Sequence, residues 1–313
     1  MSLLNSLQFV YFIFKLSFLS NNTVYIIVGP TAVGKTSFAI ALAQYFKTEI
    51  ISADARQCYA ELNIGVARPS LEELSKVPHH FIASHSVNDT INAQVFENYA
   101  LAKTKEIFKT HHSVVMVGGT GLYIKAFCEG LDMIPDIDPA IREDIIKQYE
   151  KLGLRWLQKE VSVKDPLYWA KGEQQNPQRL MRALEVILGT GASIVSYQIK
   201  SKITRPFKIV KIGLELPREQ LYESINQRVL TMVENGLEQE VRELVAQFHL
   251  NALQTVGYSE WLPYFESSLP KEKVIENIQQ NTRHYAKRQM TWFKKDPEIT
   301  WHLSDQINAT QIG

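Results

Sequence analysis

Val24-Tyr25-Ile26-Ile27-Val28-Gly29-Pro30-Thr31-Ala32-Val33-Gly34-Lys35-Thr36 decides the fold. An apolar run leads straight into G-x-x-x-x-G-K-T. At that spacing a buried strand turns through a loop into a helix, and the loop's backbone N–H groups close around a diphosphate. Gly29, Pro30, Thr31, Ala32, Val33 and Gly34 are therefore expected to cradle the diphosphate. Lys35 would neutralise it and the Thr36 hydroxyl would hold Mg²⁺. Helix is expected to follow over residues 36–46. The same loop commonly binds ATP and other nucleotides, so it names a class of ligand and not a reaction.

Working outward, Glu49-Ile50-Ile51-Ser52 reads as a short second strand that ends near Asp54. Residues 92–109 have helical periodicity. Ser113-Val114-Val115-Met116-Val117 is another buried strand, closed by Gly118-Gly119-Thr120-Gly121. Strands alternating with helices predict an α/β fold, a P-loop core with a parallel sheet and helices on both faces. From Pro135 to Ser201 the chain turns charged and rich in Gln and Arg. Asp138-Pro139 and Asn176-Pro177 each open a helix with proline at its first position, and Gly189-Thr190-Gly191 closes the second. Residues 208–215 alternate as a strand, and the remainder reads as mostly helix. The expected organisation is an apolar extension at 1–22, a catalytic core at 23–134 and 202–313, and a helical insertion at 135–201.

The chain has 313 residues, 45% of them hydrophobic, enough for a sizeable core. A net charge of +1 excludes global steering toward nucleic acid, so any such binding must come from a local patch. Two distant cysteines, Cys58 and Cys128, offer neither a metal spacing nor a disulfide framework, which suits a reducing, cytoplasmic setting. Residues 7–19 are almost wholly apolar but carry Lys15 in their middle. They lack the basic start and small-residue cleavage site of a signal peptide and are short for a membrane span, so no membrane partner is expected. The pairs His79-His80 and His111-His112 lack ligand spacing and read as structural.

A P-loop hydrolase normally places a carboxylate after a later apolar strand to hold Mg²⁺. Here that strand ends in Gly-Gly-Thr-Gly, and the acid follows the second strand instead, as Asp54. A carboxylate there lies beside the loop at the carboxyl ends of the strands, where ligands bind. It could act on an acceptor, act on the metal, or merely cap a turn. Gly118 to Gly121 could line a second substrate's pocket or be a plain strand-to-helix turn. Arg179 and Arg182 share a helix face, either as an RNA-facing pair or paired with Glu185. Residues 283–295 interleave cations with aromatics, as a phosphate-and-base surface needs, or as a basic helix with a buried aromatic stripe does.

Taken in order, GPTAVGKT from Gly29, SADARQCY from Ser52, NIGVARP from Asn63, PHHFI from Pro78, VGGTGLY from Val117, NPQRLMRALEV from Asn176, LQTVGY from Leu253 and KRQMTWF from Lys287 resemble the bacterial tRNA dimethylallyltransferase family. The resemblance runs from Val24 to Trp301. It implies transfer of a five-carbon group from dimethylallyl diphosphate to N6 of adenosine 37 in the tRNA anticodon stem-loop, with Mg²⁺ and release of diphosphate; a monomer is expected. By residue, it implies Asp54 as the catalytic base, Thr120 near the reacting adenine, and Lys35 and Arg228 on the diphosphate. Implied tRNA contacts fall on Asp54, Ala55, Arg56 and Gln57, on Thr120 and Arg142, and on Gln178, Arg179, Leu180, Met181 and Arg182. They continue on Gln254, Thr255, Val256, Gly257, Tyr258 and Ser259, and on Lys287, Arg288, Gln289, Met290, Thr291, Trp292, Phe293 and Lys294.

The chain departs from the family pattern at Ala55, where Ser is common, at Val66, where Thr is common, at Arg68, where Lys is usual, and at Ala83. The stretch before Leu250 is shortened. Three other readings share parts of this sequence: a transferase that prenylates free AMP, ADP or ATP, a P-loop kinase, and a non-catalytic RNA-binding module. The insertion helix and the KRQMTWF tract argue against the first, because a free nucleotide needs no such grip.

Overall fold

The computed structural model describes residues 22–198 and 202–312. The apolar run at 7–19 lies outside them. Among the described residues, no helix is long and apolar enough to cross a membrane. The described residues divide into two compact units, one within 130–203 and the other within 22–129 and 204–312.

The larger unit is built on a six-stranded, fully parallel sheet. In chain order its elements are β1 (Thr23–Val28), α1 (Lys35–Phe46), β2 (Ile50–Ser52), α2 (Leu71–Lys76), β3 (His79–His80), α3 (Ala93–Ile107), β4 (Ser113–Val117) and α4 (Gly121–Glu129). The strand order is β3-β2-β4-β1-β5-β6, with β5 at Lys208–Glu215 and β6 at Ile299–Leu303. Central β1 pairs with β4 (Ile27 opposite Val117) and with β5 (Val28 opposite Gly213). Its Val24, Ile26, Ile27 and Val28 are wholly buried, as a strand covered on both faces must be. Each such side chain contributes on the order of 1.5–3 kcal/mol through burial.

Two strands differ from the sequence reading. His79-His80 is a two-residue edge strand on β2, and Ile299–Leu303 extends the sheet beyond β5, where helix was expected. Neither carries a continuous apolar run. Both exist through backbone pairing with a strand already in place, a tertiary effect that propensity does not report. Lys211 of β5, nearly buried, secures the far edge by donating to Asp296 at 2.6 Å and Glu298 at 2.7 Å.

β1, β4 and β2 end side by side, and the loops after them converge. Gly29 leaves β1 with φ +145°, and a Cβ there would lie 2.4 Å from the Leu214 carbonyl oxygen, so only glycine lets the phosphate loop pass the end of β5. Ala53 N–H donates to the Val117 carbonyl at 2.7 Å. A Cβ on Gly118 would stand 2.1 Å from the Ala53 carbonyl oxygen. That neighbour is backbone and cannot move aside. Gly118→Ala is therefore expected to destabilise the fold by about 1–3 kcal/mol, an overpacking cost. A circular-dichroism melt would check this, and an unchanged midpoint would refute the close approach.

α4, which follows the Gly118–Gly121 turn, is fixed at its other end by a buried pair. Arg205 donates to Glu97 of α3 at 2.7 Å and to the carbonyls of Phe127 (2.7 Å) and Ala126 (2.9 Å) in the last turn of α4. The unit is completed by α8 (Arg218–Glu234), α9 (Leu237–Glu243) and α10 (Lys271–Phe293), after the three helices of the smaller unit.

The smaller unit packs α5 (Pro139–Lys164), α6 (Pro166–Lys171) and α7 (Pro177–Thr190) around Ile145, Leu157, Leu180 and Leu184. Asp138 caps α5 by accepting from Ala140 N–H, and Asn176 caps α7 by accepting from Arg179 N–H. Gly191 ends α7 at φ +73°. α5 breaks at Gly153, whose φ of +74° is not helical.

Candidate active site and nucleic-acid interface

The phosphate loop has the construction its spacing predicts. Gly34 stands at the N-cap of α1 with no side chain to satisfy the first-turn N–H groups, and the first turn holds no acid. Those unfilled donors and the positive end of the helix dipole favour an anion. Lys35 Nζ folds back onto the Pro30 carbonyl at 2.6 Å. Although Lys35 keeps some open surface, its ammonium sits deep. Burial first, then the neighbouring Arg228 charge, push its pKa down to about 7, with Asp54 opposing. Arg228 comes from α8 and donates to the Thr31 hydroxyl at 3.2 Å; burial depresses its pKa too. Two basic side chains beside first-turn amide donors are the chemistry that recognises an anion.

Asp54 stands across from this loop. Its Oδ1 accepts from the N–H groups of Arg56 (2.9 Å) and Gln57 (3.2 Å), and its Oδ2 has no hydrogen-bond partner among the described residues. So the carboxylate does cap a turn, with one oxygen, while the other remains available. The Thr120 hydroxyl accepts from Ala55 N–H at 3.0 Å, and Thr120 N–H donates to the Ala53 carbonyl at 3.2 Å. These bonds stitch the Asp54 loop to the Gly118–Gly121 turn. Asp54 and Cys58 repel: the buried Cys58 thiol is pushed up to about 12, by burial first and by Asp54 second. That thiol is no nucleophile at neutral pH.

Further residues, invisible as motifs, hold the loops around Asp54. Gln57 Nε2 donates to the carbonyls of Val66 (3.2 Å) and Ala67 (3.0 Å). Glu240 of α9 accepts from Ile64 N–H (2.7 Å), Gly65 N–H (3.0 Å) and the Tyr258 hydroxyl (2.5 Å). Burial first and Glu240 second raise the Tyr258 phenol above the ordinary tyrosine range, so it remains a donor. One carboxylate thus joins the Asn63–Arg68 loop to the loop of Gln254, Thr255, Val256, Gly257, Tyr258 and Ser259. Tyr285 of α10 is likewise raised, by burial and then by the Asp54 charge, which places its phenol in the Asp54 neighbourhood.

A cleft of about 780 Å³ borders the phosphate loop at Ala32 and continues along Arg228, Arg68, Leu74 and Met232. Neither Asp54 nor Thr120 lines it, whereas Arg228 belongs to both the cleft and the phosphate loop's surroundings.

Residues 287–294, the end of α10 and its C-cap, present Lys287, Arg288, Thr291, Trp292 and Lys294 outward. Gln289 and Phe293 are buried, at 5% and 3% exposure, and Met290 is half-buried. Trp292 lies against the turn, since a Cβ on Gly121 would meet its indole nitrogen at 2.2 Å. In the smaller unit Glu185, nearly buried, takes Arg142 on one oxygen and Arg182 on the other, each at 2.7 Å. Gln178 accepts from Arg142 at 3.4 Å. Both arginines keep about two-fifths of their side-chain surface open, so ion pairing fixes them without hiding them. Arg179 is exposed on α7, whereas Leu180 and Met181 are core residues.

Among the described residues no group of three or more His, Cys, Asp or Glu could hold a metal ion. The Thr36 hydroxyl, on a partly open residue in the first turn of α1, is a single hard oxygen beside the phosphate loop. That donor set fits Mg²⁺, which keeps most of its waters and shares phosphate oxygens.

Residues 57–296 match the model of the IPP transferase family. The chain is 49% identical to a tRNA dimethylallyltransferase of Christiangramia forsetii over 90% of its own length and 93% of that protein's. It is 43% identical to one from Cytophaga hutchinsonii over 92% and 94%. Among solved structures it is similar to a full-length tRNA isopentenylpyrophosphate transferase of Bacillus halodurans (33% identity, TM-score 0.68, 93% of each chain). It is also similar to a eukaryotic dimethylallyltransferase acting on tRNA (26% identity, TM-score 0.77, 93% of this chain and 77% of that one).

Proposed function

This chain belongs to the IPP transferase family, and from that premise we infer that it is a tRNA dimethylallyltransferase, with dimethylallyl diphosphate as donor and tRNA as acceptor. The finer reading is that the acceptor is N6 of adenosine 37 in the anticodon loop. The observation that carries it is Asp54: a carboxylate with one oxygen fixed by backbone and one free, facing a phosphate loop across a turn that carries Thr120.

The chemistry follows from those groups. The adenine amine is a weak nucleophile because its lone pair is delocalised into the ring. As N6 attacks C1 of the donor, the C1–O bond breaks and its electron pair leaves with the diphosphate. The N6 proton passes to Asp54 Oδ2, general-base assistance that typically gives about 10²–10⁴ in rate. The first-turn amides of α1, Lys35 and Arg228 meet the growing negative charge on the leaving group. The Thr36 hydroxyl would hold Mg²⁺, whose charge would supply further neutralisation there. The Thr120 hydroxyl, whose oxygen is engaged by Ala55 N–H, has its proton free to orient the purine.

The adenine must leave its stack to reach this site. Lys287, Arg288 and Lys294 would take loop phosphates, Trp292 would offer a stacking face, and Arg142 and Arg182 would take stem phosphates. The reading includes a cytoplasmic enzyme working as a monomer.

The deciding assay supplies labelled dimethylallyl diphosphate and Mg²⁺ with either undermodified tRNA or free AMP. Label is expected in tRNA at adenosine 37 and not in AMP. Label in AMP alone would sink the tRNA reading, and label at another nucleoside would sink the position.

A further inference from the structure

Gln289 stands apart from the tract that contains it. Its neighbours Lys287, Arg288, Thr291 and Trp292 are exposed, but Gln289 is 5% exposed and points into the core of the larger unit. Its amide makes one bond in each direction. Oε1 accepts from Thr31 N–H of the phosphate loop at 2.8 Å. Nε2 donates to the Gly119 carbonyl, in the turn just before Thr120, at 3.1 Å. The turn is shaped to receive it, since a Cβ on Gly119 would fall 2.0 Å from Nε2. Thr31 is thereby held at both of its polar groups, its N–H by Gln289 and its hydroxyl by Arg228.

We propose that Gln289 is a positioning residue that fixes the leaving-group loop against the acceptor turn, and that it makes no RNA contact. Thr31 belongs to the loop that receives the diphosphate, and Gly119 precedes the residue beside the acceptor. Their separation sets the distance that N6 must cross to reach C1. Displacement of reacting groups by about 1 Å can cost on the order of 10²-fold in rate. A primary amide suits the task because it presents an acceptor and a donor on one rigid plane. A carboxylate would repel the Gly119 carbonyl, and an ammonium could not accept from Thr31.

This assignment rests on the transferase reading, so the wild-type protein is first required to transfer label to tRNA; failure there would refute that reading and, with it, a positioning role in the transfer. The test then uses Gln289→Met, which keeps the volume and removes both bonds, and Gln289→Asn, which keeps the amide but falls one methylene short. Melting curves confirm that each variant is folded. Steady-state kinetics give kcat and the donor KM, and filter binding gives the tRNA Kd. Both variants are expected to lose about 10- to 100-fold in kcat/KM for dimethylallyl diphosphate, the scale for buried polar groups left unpaired, with tRNA Kd within about twofold of wild type. A tRNA Kd that weakens as much as kcat/KM falls would make Gln289 an RNA contact and overturn the proposal. Unchanged donor kinetics would overturn it equally. If Gln289→Met does not fold, Gln289→Asn carries the same decision alone.

Discussion

Asp54→Asn is expected to lower kcat for dimethylallyl transfer by about 10²–10⁴, with tRNA affinity changed by less than about threefold. Asparagine keeps an oxygen for the Arg56 and Gln57 N–H groups, so the turn after β2 survives. What disappears is the free Oδ2 and its basicity. Asp54→Ala removes the turn's acceptor as well and leaves those N–H groups unpaired. Its additional loss, beyond that of Asp54→Asn, measures the structural share of the residue, about 1–3 kcal/mol of stability if both amides stay buried. Single-turnover transfer to tRNA with saturating donor separates the two effects. An asparagine variant that keeps more than about a tenth of wild-type kcat would remove Asp54 as the base.

How far the sequence alone reached follows from how each feature is encoded. The phosphate loop was legible because its geometry needs particular residue types at fixed offsets and a buried strand before it. β1, β4 and β5 were legible as apolar or alternating runs. β3 and β6 were not, because two and five residues at a sheet edge are held by backbone pairing with β2 and β5. Glu240 carries no local signal at all. Its three donors lie in segments far away in the chain, and only the fold brings Ile64, Gly65 and Tyr258 to one carboxylate. Gln289 shows the converse. Its tract reads as a surface motif, yet the helical period turns one member of that motif inward, and a string of letters does not say which member serves which face. The paired reading of Arg182 with Glu185 proved compatible with exposure, so the two alternatives weighed from sequence were not exclusive.

Lys35→Met is expected to lower kcat by about 10²–10³ and to leave tRNA affinity unchanged, because it removes a charge that matters most when the leaving diphosphate gains its own. The same change should not destabilise the free protein. Among the described residues Lys35 Nζ has only the Pro30 carbonyl for a partner, and burial together with Arg228 drives its pKa down to about 7. A charge held where its surroundings oppose it is retained for binding and not for folding. The sign of the pH effect follows from linkage. The folded pKa lies below the ordinary lysine value of 10.5, so between about pH 7 and 10.5 the unfolded chain binds more protons than the folded one. Stability contributed by this residue therefore rises with pH through that window in the wild type, and the rise is absent in Lys35→Met. Chemical denaturation at pH 7 and pH 9 without donor measures the difference. A methionine variant less stable than wild type at pH 7 would show that Lys35 supports the loop's structure, and its kinetic loss would then say little about the departing diphosphate. Arginine is not expected to rescue, since a longer planar cation must fit where a compact ammonium lies against Pro30 with Arg228 already beside it.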